Sequence, residues 1–142
     1  MQGLLKSTVR TVGVAVAGAA IPVGFAGPGH AAGGYYEAST KDRCAHMQGH
    51  YYYDYVAHRQ GRATYNTRWD FTIDAYSNSC GWVRSFAPYA TYSKWTGTKW
   101  DYSHTNKYTR IGTAGTGRNV ADVMIYLCEV GKPSTCGRIH GA

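Results

Sequence analysis

Residues 62–76 read RATYNTRWDFTIDAY, and this stretch decides the fold class. Small, aromatic or aliphatic side chains occupy the odd-numbered positions, and polar or charged ones occupy the even-numbered positions between them. A period of two is that of a β-strand with one buried face. Because a shift of one residue would bury charged side chains, we predict a firmly registered strand whose odd-numbered face lies in the core.

The sequence around this stretch consists of further strand-like segments. Residues 51–58 precede it across Arg59-Gln60-Gly61, a short glycine-containing loop that is typical of a hairpin. Residues 119–130, NVADVMIYLCEV, carry apolar side chains on both faces, which indicates a central strand. Shorter strands are predicted at residues 82–88, 89–94, 99–102, 107–111 and 137–140.

No segment has the 3.6-residue apolar spacing of an amphipathic helix, and glycine and threonine interrupt the chain at short intervals. We therefore predict an all-β fold: a small antiparallel β-sandwich or barrel with two disulfides and about six to eight strands. The glycine-rich residues 112–118 precede a strand instead of the helix that a phosphate-binding loop requires, so we interpret them as a connection.

The N-terminus has the composition of a secretory signal peptide. Lys6 and Arg10 precede an apolar run, and Gly29 and Ala31 lie three and one residues before a cut placed after Ala31. The run is shorter than the ~20 residues of a membrane-spanning helix, so we expect no integral membrane anchor. The predicted organisation is a signal peptide over residues 1–31, a flexible N-terminal arm over residues 32–43 and a single β-domain over residues 44–142. We expect the protein to be secreted and extracellular.

Cysteine usage supports an oxidising compartment. The even count of four cysteines in an exported chain indicates two disulfides, and three pairings are possible. We favour Cys128 with Cys136, because the turn Gly131-Lys132-Pro133-Ser134 would fold their flanks together. That choice leaves Cys44 with Cys80.

The charge is basic but dispersed. Without residues 1–31, the 15 Lys and Arg lose Lys6 and Arg10, and the remaining 13 face 8 Asp and Glu, a net charge of 13 − 8 = +5. These basic residues form no dense run, so we expect no nucleic-acid partner.

No pattern for catalysis or metal binding stands out. Asp101-Tyr102-Ser103-His104 holds the residue types of a nucleophilic triad, but neighbours on a strand or turn point apart. His46 and His50 are spaced like half of a zinc site, yet Cys44 beside them is needed for a disulfide and the tyrosine run opposes a helix. We expect no catalytic residue, no metal site and no cofactor.

Tyrosines are unusually dense in the stretch 51–55. Thirteen tyrosines and four tryptophans are more than a modest core would hide. On a strand, Tyr51, Tyr53 and Tyr55 share one face, and both a core position and an exposed contact surface remain open for that face.

Other aromatic residues are candidate binding residues. Trp95 and Trp100 flank a turn, where rings often stay exposed and stack on sugars or anchor protein interfaces. Tyr35 and Tyr36 lie in the predicted arm, where they would anchor the arm in a partner's cleft or beside a partner's sheet.

The plan of the whole chain combines an alanine- and glycine-rich signal, a short arm, two disulfides and a strand-rich body. In this it resembles the small secreted β-domain proteins of high-GC Gram-positive bacteria. Among them it is similar in architecture to the adaptor subunit of the Streptomyces umbrella toxin particles. The resemblance implies a β-domain that joins larger exported subunits in an antibacterial toxin complex.

Together these features predict a secreted, non-enzymatic binding or assembly module whose partner is another exported protein. One alternative is a cell-wall or polysaccharide-binding domain that uses Trp95, Trp100 and the tyrosine row. Another is a small secreted enzyme or enzyme inhibitor.

Overall fold

The computed structural model describes residues 31–76, 80–81 and 84–141, so the predicted signal peptide lies, apart from Ala31, outside the described residues. Within these ranges the chain forms one antiparallel sheet, which confirms the all-β class. The strands are β1 (Ala31–Ser39), β2 (Ala45–Arg59), β3 (Arg62–Ala75), β4 (Phe86–Trp95), β5 (Trp100–Asp101), β6 (Thr109–Arg110), β7 (Ala114–Glu129), β8 (Lys132–Arg138) and β9 (His140–Gly141).

The long hairpin β2–β3 forms as predicted. Gln60 and Gly61 make its turn with φ of 49° and 80°, the positive values that match the twist of the flanking strands. From Tyr65 to Ile73 the odd-numbered side chains of β3 are turned away from solvent and the even-numbered ones are exposed. The predicted register is therefore confirmed over this part of the strand.

The alternation fails near the turn. Thr64, on the predicted polar face, is fully buried, and its Oγ1 donates a hydrogen bond to the carbonyl of Ala57 at 3.0 Å. A β-bulge between Tyr55 and Ala57 of β2 shifts the pairing at this point. Beyond the bulge, the even-numbered position 64 of β3 is therefore the buried one. The strict period of the sequence does not reveal a bulge on the partner strand.

Strand β7 is the predicted central strand, and it pairs with three others. Its first half lies beside β3, and its second half lies between β4 and β8. The pairing of β7 shifts against each of its three neighbours, and Asn119 and Asp122 adopt left-handed φ of 53° and 55° near the shifts against β3 and β4. Bulges bend a strand and increase its twist, so β7 can leave β3 and continue beside β8.

Residues 112–118 are only partly the connection that was predicted, because the strand begins at Ala114. Gly115 and Gly117 leave room for β3: a Cβ on Gly115 would lie 2.7 Å from the Trp69 ring, and one on Gly117 would lie 2.8 Å from Thr67 Oγ1. The indole Nε1 of Trp69 donates to the carbonyl of Gly112 at 2.8 Å. These glycines therefore serve strand packing.

The flexible arm predicted over residues 32–43 is not observed. Residues up to Ser39 form β1, which lies between β2 and β9 in the sheet. Ala38 is fully buried and Tyr36 packs against the core, so the segment contributes inward-facing groups like any other strand. Gly33 permits the close approach, since a Cβ there would lie 2.1 Å from the carbonyl oxygen of Tyr51.

Strands β8 and β9 connect the first and last members of the neighbouring strands β1, β2, β3 and β7. Strand β8 pairs with β7, and β9 pairs with β1. Between them, the backbone N–H of Ile139 donates to the carbonyl of Ile125 at 3.0 Å. The C-terminal segment thus contacts strands on both sides of the core. The fully buried residues of the core include Met47, Ile125 and Leu127.

Both predicted disulfides, Cys44–Cys80 and Cys128–Cys136, are present. The second joins β7 to β8 across the hairpin. The first closes the larger loop, with 36 residues of sequence separation, so on the chain-entropy model it restrains the unfolded chain more, by about 3 to 4 kcal/mol.

An ion-pair network connects the neighbourhoods of the two disulfides. Arg84 donates to Glu129 at 3.0 Å through Nε and to Asp42 at 2.5 Å, and it also reaches the carbonyl of Cys80 at 3.3 Å. Glu129 is buried, and Lys132 lies 3.1 Å from its second oxygen. The buried carboxylate is therefore paired on both oxygens, as burial of a charge requires.

A methyl group at Gly49 should be poorly tolerated. Its φ is +153°, and a Cβ would lie 2.0 Å from the carbonyl oxygen of Asp70 on the neighbouring strand. We expect Gly49→Ala to cost about 3 kcal/mol of unfolding free energy, from backbone strain and forced separation of β2 from β3. Gly34→Ala is the matched control, because nothing lies within 4 Å of its Cβ position. If urea unfolding showed equal losses of unfolding free energy for both variants, the close approach of Gly49 to β3 would be contradicted.

Acid should weaken the protein through Arg84. Its guanidinium holds the pKa of Asp42 down to about 2 and also lowers the pKa of Glu129. A carboxyl whose pKa is depressed on folding stabilises the protein above its unfolded pKa, and this contribution is lost as pH falls from about 5 toward 2. Arg84→Gln should lower Tm at neutral pH and flatten the dependence of Tm on pH in that window. Arg110→Gln, a change of the same charge at an exposed site, should leave the pH profile of the wild type intact.

Candidate functional site

The tyrosine row of β2 faces inward. Tyr51 is only 8% exposed, and Tyr53 and Tyr55 are half-buried. Tyr65 of β3 stands against the latter two, with ring centroids 5.6 Å from Tyr53 and 6.2 Å from Tyr55 in edge-to-face geometry. The sequence left open whether this face of β2 lies in the core or forms an exposed contact surface. In the structure it lies in the core and at the rim of the core.

The rings of Tyr51, Tyr53 and Tyr65 line an open cavity of about 350 Å³, here called the phenolic groove. Tyr36, on β1, closes it on the side of Tyr51, with ring centroids 6.2 Å apart. The remaining walls come from β3, the bulged part of β7 and the C-terminal segment. The lining residues are Tyr36, Tyr51, Tyr53, Tyr65, Thr67, Ala121, Asp122, Val123, Met124, Ile125, Arg138 and Ile139.

Tyr51 lies deepest among the tyrosines of the groove. Burial raises the pKa of its phenol well above the usual range, and the neighbouring Tyr53 and Tyr36 raise it further. A hydrogen bond with Thr67 acts in the opposite direction. The hydroxyl is therefore held in its neutral form, able to donate and accept a hydrogen bond.

A second aromatic set lies on the opposite face of the same strands. Tyr35 is 44% exposed and meets the His50 ring at 5.2 Å, edge to face. His50 stacks on Tyr52 at 5.7 Å with an interplanar angle of 13°, and the guanidinium of Arg68 lies 4.9 Å from the Tyr52 ring. We call Tyr35, His50, Tyr52 and Arg68 the outer row.

The outer row was only partly foreseen. Tyr35 was a predicted binding residue. His50 was considered only as a metal ligand, and Tyr52 and Arg68 were not among the predicted contact residues. They belong to the row because Tyr52 and Arg68 are direct cross-strand partners and His50 lies two residues before Tyr52 on the same face. Strand register, once known, would have found them.

The prediction of an exposed tryptophan pair is wrong for Trp100. This ring is 8% exposed, its Nε1 donates to the carbonyl of Arg59 at 2.9 Å, and the guanidinium of Arg62 covers it at 4.4 Å. Trp95 is half-buried against it, with centroids 5.7 Å apart. The pair packs the turn against the β2–β3 hairpin, and the exposed ring of this region is Tyr102.

The residues considered for chemistry are engaged in structural contacts. His104 stacks on Tyr92 at 4.8 Å and bonds Thr109 at 2.8 Å, while the N–H of Ser103 donates to Asp101. This arrangement stabilises a turn and does not align a serine with a base.

The residues considered as metal ligands have other partners. Cys44 is in a disulfide, and His46 lies 3.2 Å from the Glu37 carboxylate. Among the described residues, no three His, Cys, Asp or Glu side chains are grouped so that they could hold a metal ion.

Comparison with protein-family models, curated proteins and solved structures finds no match for this chain. In the part of the chain that the structure describes, no helix has the length and apolar character needed to cross a membrane.

Titration of Tyr51 should be visible in alkaline unfolding. A phenol whose pKa is raised on folding stabilises the protein below its unfolded value of about 10, and this contribution is lost as pH rises further. Tyr51→Phe removes this proton linkage, so its unfolding free energy should fall less steeply between about pH 10 and 11.5 than that of the wild type. At neutral pH it should lose about 1 kcal/mol with the Thr67 hydrogen bond.

Tyr76→Phe is the control for this titration, because Tyr76 is 49% exposed. Urea unfolding across the pH series gives both slopes. A Tyr51→Phe slope equal to that of the wild type would show that Tyr51 is not the buried phenol described here.

Proposed function

We propose that this protein is a secreted, non-enzymatic binding or assembly module whose partner is another exported protein, and that the outer row is its contact surface. The observation that carries the proposal is the cluster on one sheet face in which exposed Tyr35, His50 and Arg68 surround the half-buried Tyr52 ring. Tyrosine and arginine are enriched in protein interfaces and among the residues that dominate their binding energy.

The geometry of the row favours a protein partner over a sugar. Sugar stacking needs an accessible ring face, whereas the Tyr52 ring has His50 stacked beside it and Arg68 above it. Trp100, the other ring proposed for glycan contact, is buried. A partner that supplies carboxylates or carbonyls to Arg68 and apolar groups to Tyr35 fits the surface better.

The scaffold suits a preformed contact surface. The outer row spans β1, β2 and β3, and β2 and β3 pair over nearly their full lengths. The Cys44–Cys80 disulfide fixes the end of this pair that lies away from the turn. Rings on such a scaffold lose little conformational freedom on binding, which improves affinity for a given area.

Export and the setting of the complex belong to the same proposal. Two disulfides are compatible with an extracellular protein. The signal-like N-terminus supports secretion, and the architectural resemblance to umbrella toxin adaptors suggests an antibacterial toxin complex as the place to look for the partner.

The direct test is the native size of the protein in the medium of its own producing cells. Gentle size-exclusion chromatography with mass spectrometry of the fractions should find it in a complex with other exported proteins. A lone monomer in every fraction would overturn the assembly role. Retention on polysaccharide or cell-wall material by the monomer would then establish the glycan-binding alternative.

Substitutions in the outer row should separate the surface from the fold. We expect Tyr35→Ala combined with Tyr52→Ala to weaken the complex about 30-fold or more, the size of effect typical of central interface residues, with little change in Tm. Tyr76→Ala removes a ring of similar exposure elsewhere and should bind like the wild type.

Deleting residues 32–41 is not a clean test, because it removes most of strand β1 from the sheet. A complex that survives the double substitution would place the contact on another face.

A further inference from the structure

We propose that the phenolic groove is a binding site for a small aromatic carboxylate. The groove lies on the inner face of β1, β2 and β3, whereas the outer row lies on the other face of these strands. The proposal therefore concerns a second site and stands or falls independently of the protein partner.

The size and lining of the groove match those of small-ligand sites. Its volume of about 350 Å³ lies within the range of about 300 to 1,000 Å³ that is usual for such sites. Most of its wall is aromatic or aliphatic, and a few phenol and threonine hydroxyls are placed among these groups. This combination of apolar walls with few polar groups favours a ligand with an apolar body and one polar end.

The walls favour an aromatic body in particular. The rings of Tyr53 and Tyr65 stand at 86° to each other, and those of Tyr36 and Tyr51 stand at 77°. Walls of this kind present both faces and edges to the cavity. A flat ring between them can make the offset and edge-to-face contacts that aromatic pairs prefer.

The backbone keeps the groove open. Residues 121–125 form the β7 wall, and they include the left-handed Asp122 at a shift in strand pairing. Arg62 forms an ion pair with the Asp122 carboxylate, which fixes the bulge from outside the groove.

Charge at the groove selects an anion. Its charged lining groups are Arg138 and Asp122, and the carboxylate of Asp122 is already paired with Arg62. Arg138 is exposed and has no ion pair among the described residues. An arginine beside an apolar cavity binds a carboxylate through charge-assisted hydrogen bonds, and the neutral phenols can add further donors.

The test uses a fluorescent aromatic anion, 8-anilinonaphthalene-1-sulfonate, titrated into the purified full chain. We expect saturable binding at one site. Displacement by 4-phenylbutyrate should be at least about tenfold stronger than displacement by its uncharged amide, which has the same shape but lacks the charge.

Variants locate the site. Arg138→Gln should weaken probe binding about tenfold, and Met124→Trp should abolish it by filling the cavity. Arg110→Gln is the matched charge control and should bind like the wild type. Near-ultraviolet circular dichroism verifies folding, since this probe also binds partly unfolded protein. If Met124→Trp does not fold, Ile139→Phe fills the groove from the C-terminal segment.

Several results would overturn the proposal. They are absence of saturable probe binding to the wild type, equal displacement by acid and amide, equal weakening by Arg138→Gln and Arg110→Gln, and unchanged binding in a folded cavity-filling variant. Outer-row substitutions should not affect probe binding, and the cavity-filling variant should not affect the native size of the complex.

Discussion

Strand β7 must pair with β3, β4 and β8 at once, and the rest of the structure depends on how it does so. A straight strand has only two edges and would continue beside the same neighbours along its length. The two pairing shifts near Asn119 and Asp122 let β7 turn from β3 toward β8 while β4 stays on its other edge. The sheet can then wrap its core and rejoin β1 through the C-terminal segment.

Because the sheet covers its core, β1, β2 and β3 each have an inner face and an outer face. Because successive residues of a strand point to opposite faces, the run of tyrosines at 51–53 supplies both sides. Tyr51 and Tyr53 line the groove, and Tyr52 joins the outer row. Dense tyrosine is therefore the expected composition for a strand whose two faces both need aromatic groups.

The sequence predicts well those features whose partners are close along the chain or whose pattern is strictly local. The β2–β3 hairpin follows from alternation and a short glycine-containing turn, and Cys128–Cys136 follows from a turn between the two cysteines. It predicts poorly what depends on distant partners. Strand β1 lies between β2 and β9, which come from opposite ends of the domain. Trp100 is covered by Arg62, which lies far from it along the chain. No local composition distinguishes a covered tryptophan at a turn from an exposed one.

The chemistry of phenols explains why tyrosine and not phenylalanine lines the phenolic groove. A cavity lined only by apolar rings tends to remain dry, and its empty volume carries the cost of lost dispersion contacts. Phenol hydroxyls at the rim can bind water when the groove holds no ligand, and they can donate to a polar ligand when it does. Tyr51, whose hydroxyl is hydrogen-bonded to Thr67, lies at the bottom of the groove. Tyr53 and Tyr65 are half-buried, so their rings can serve the core while they remain part of an open wall.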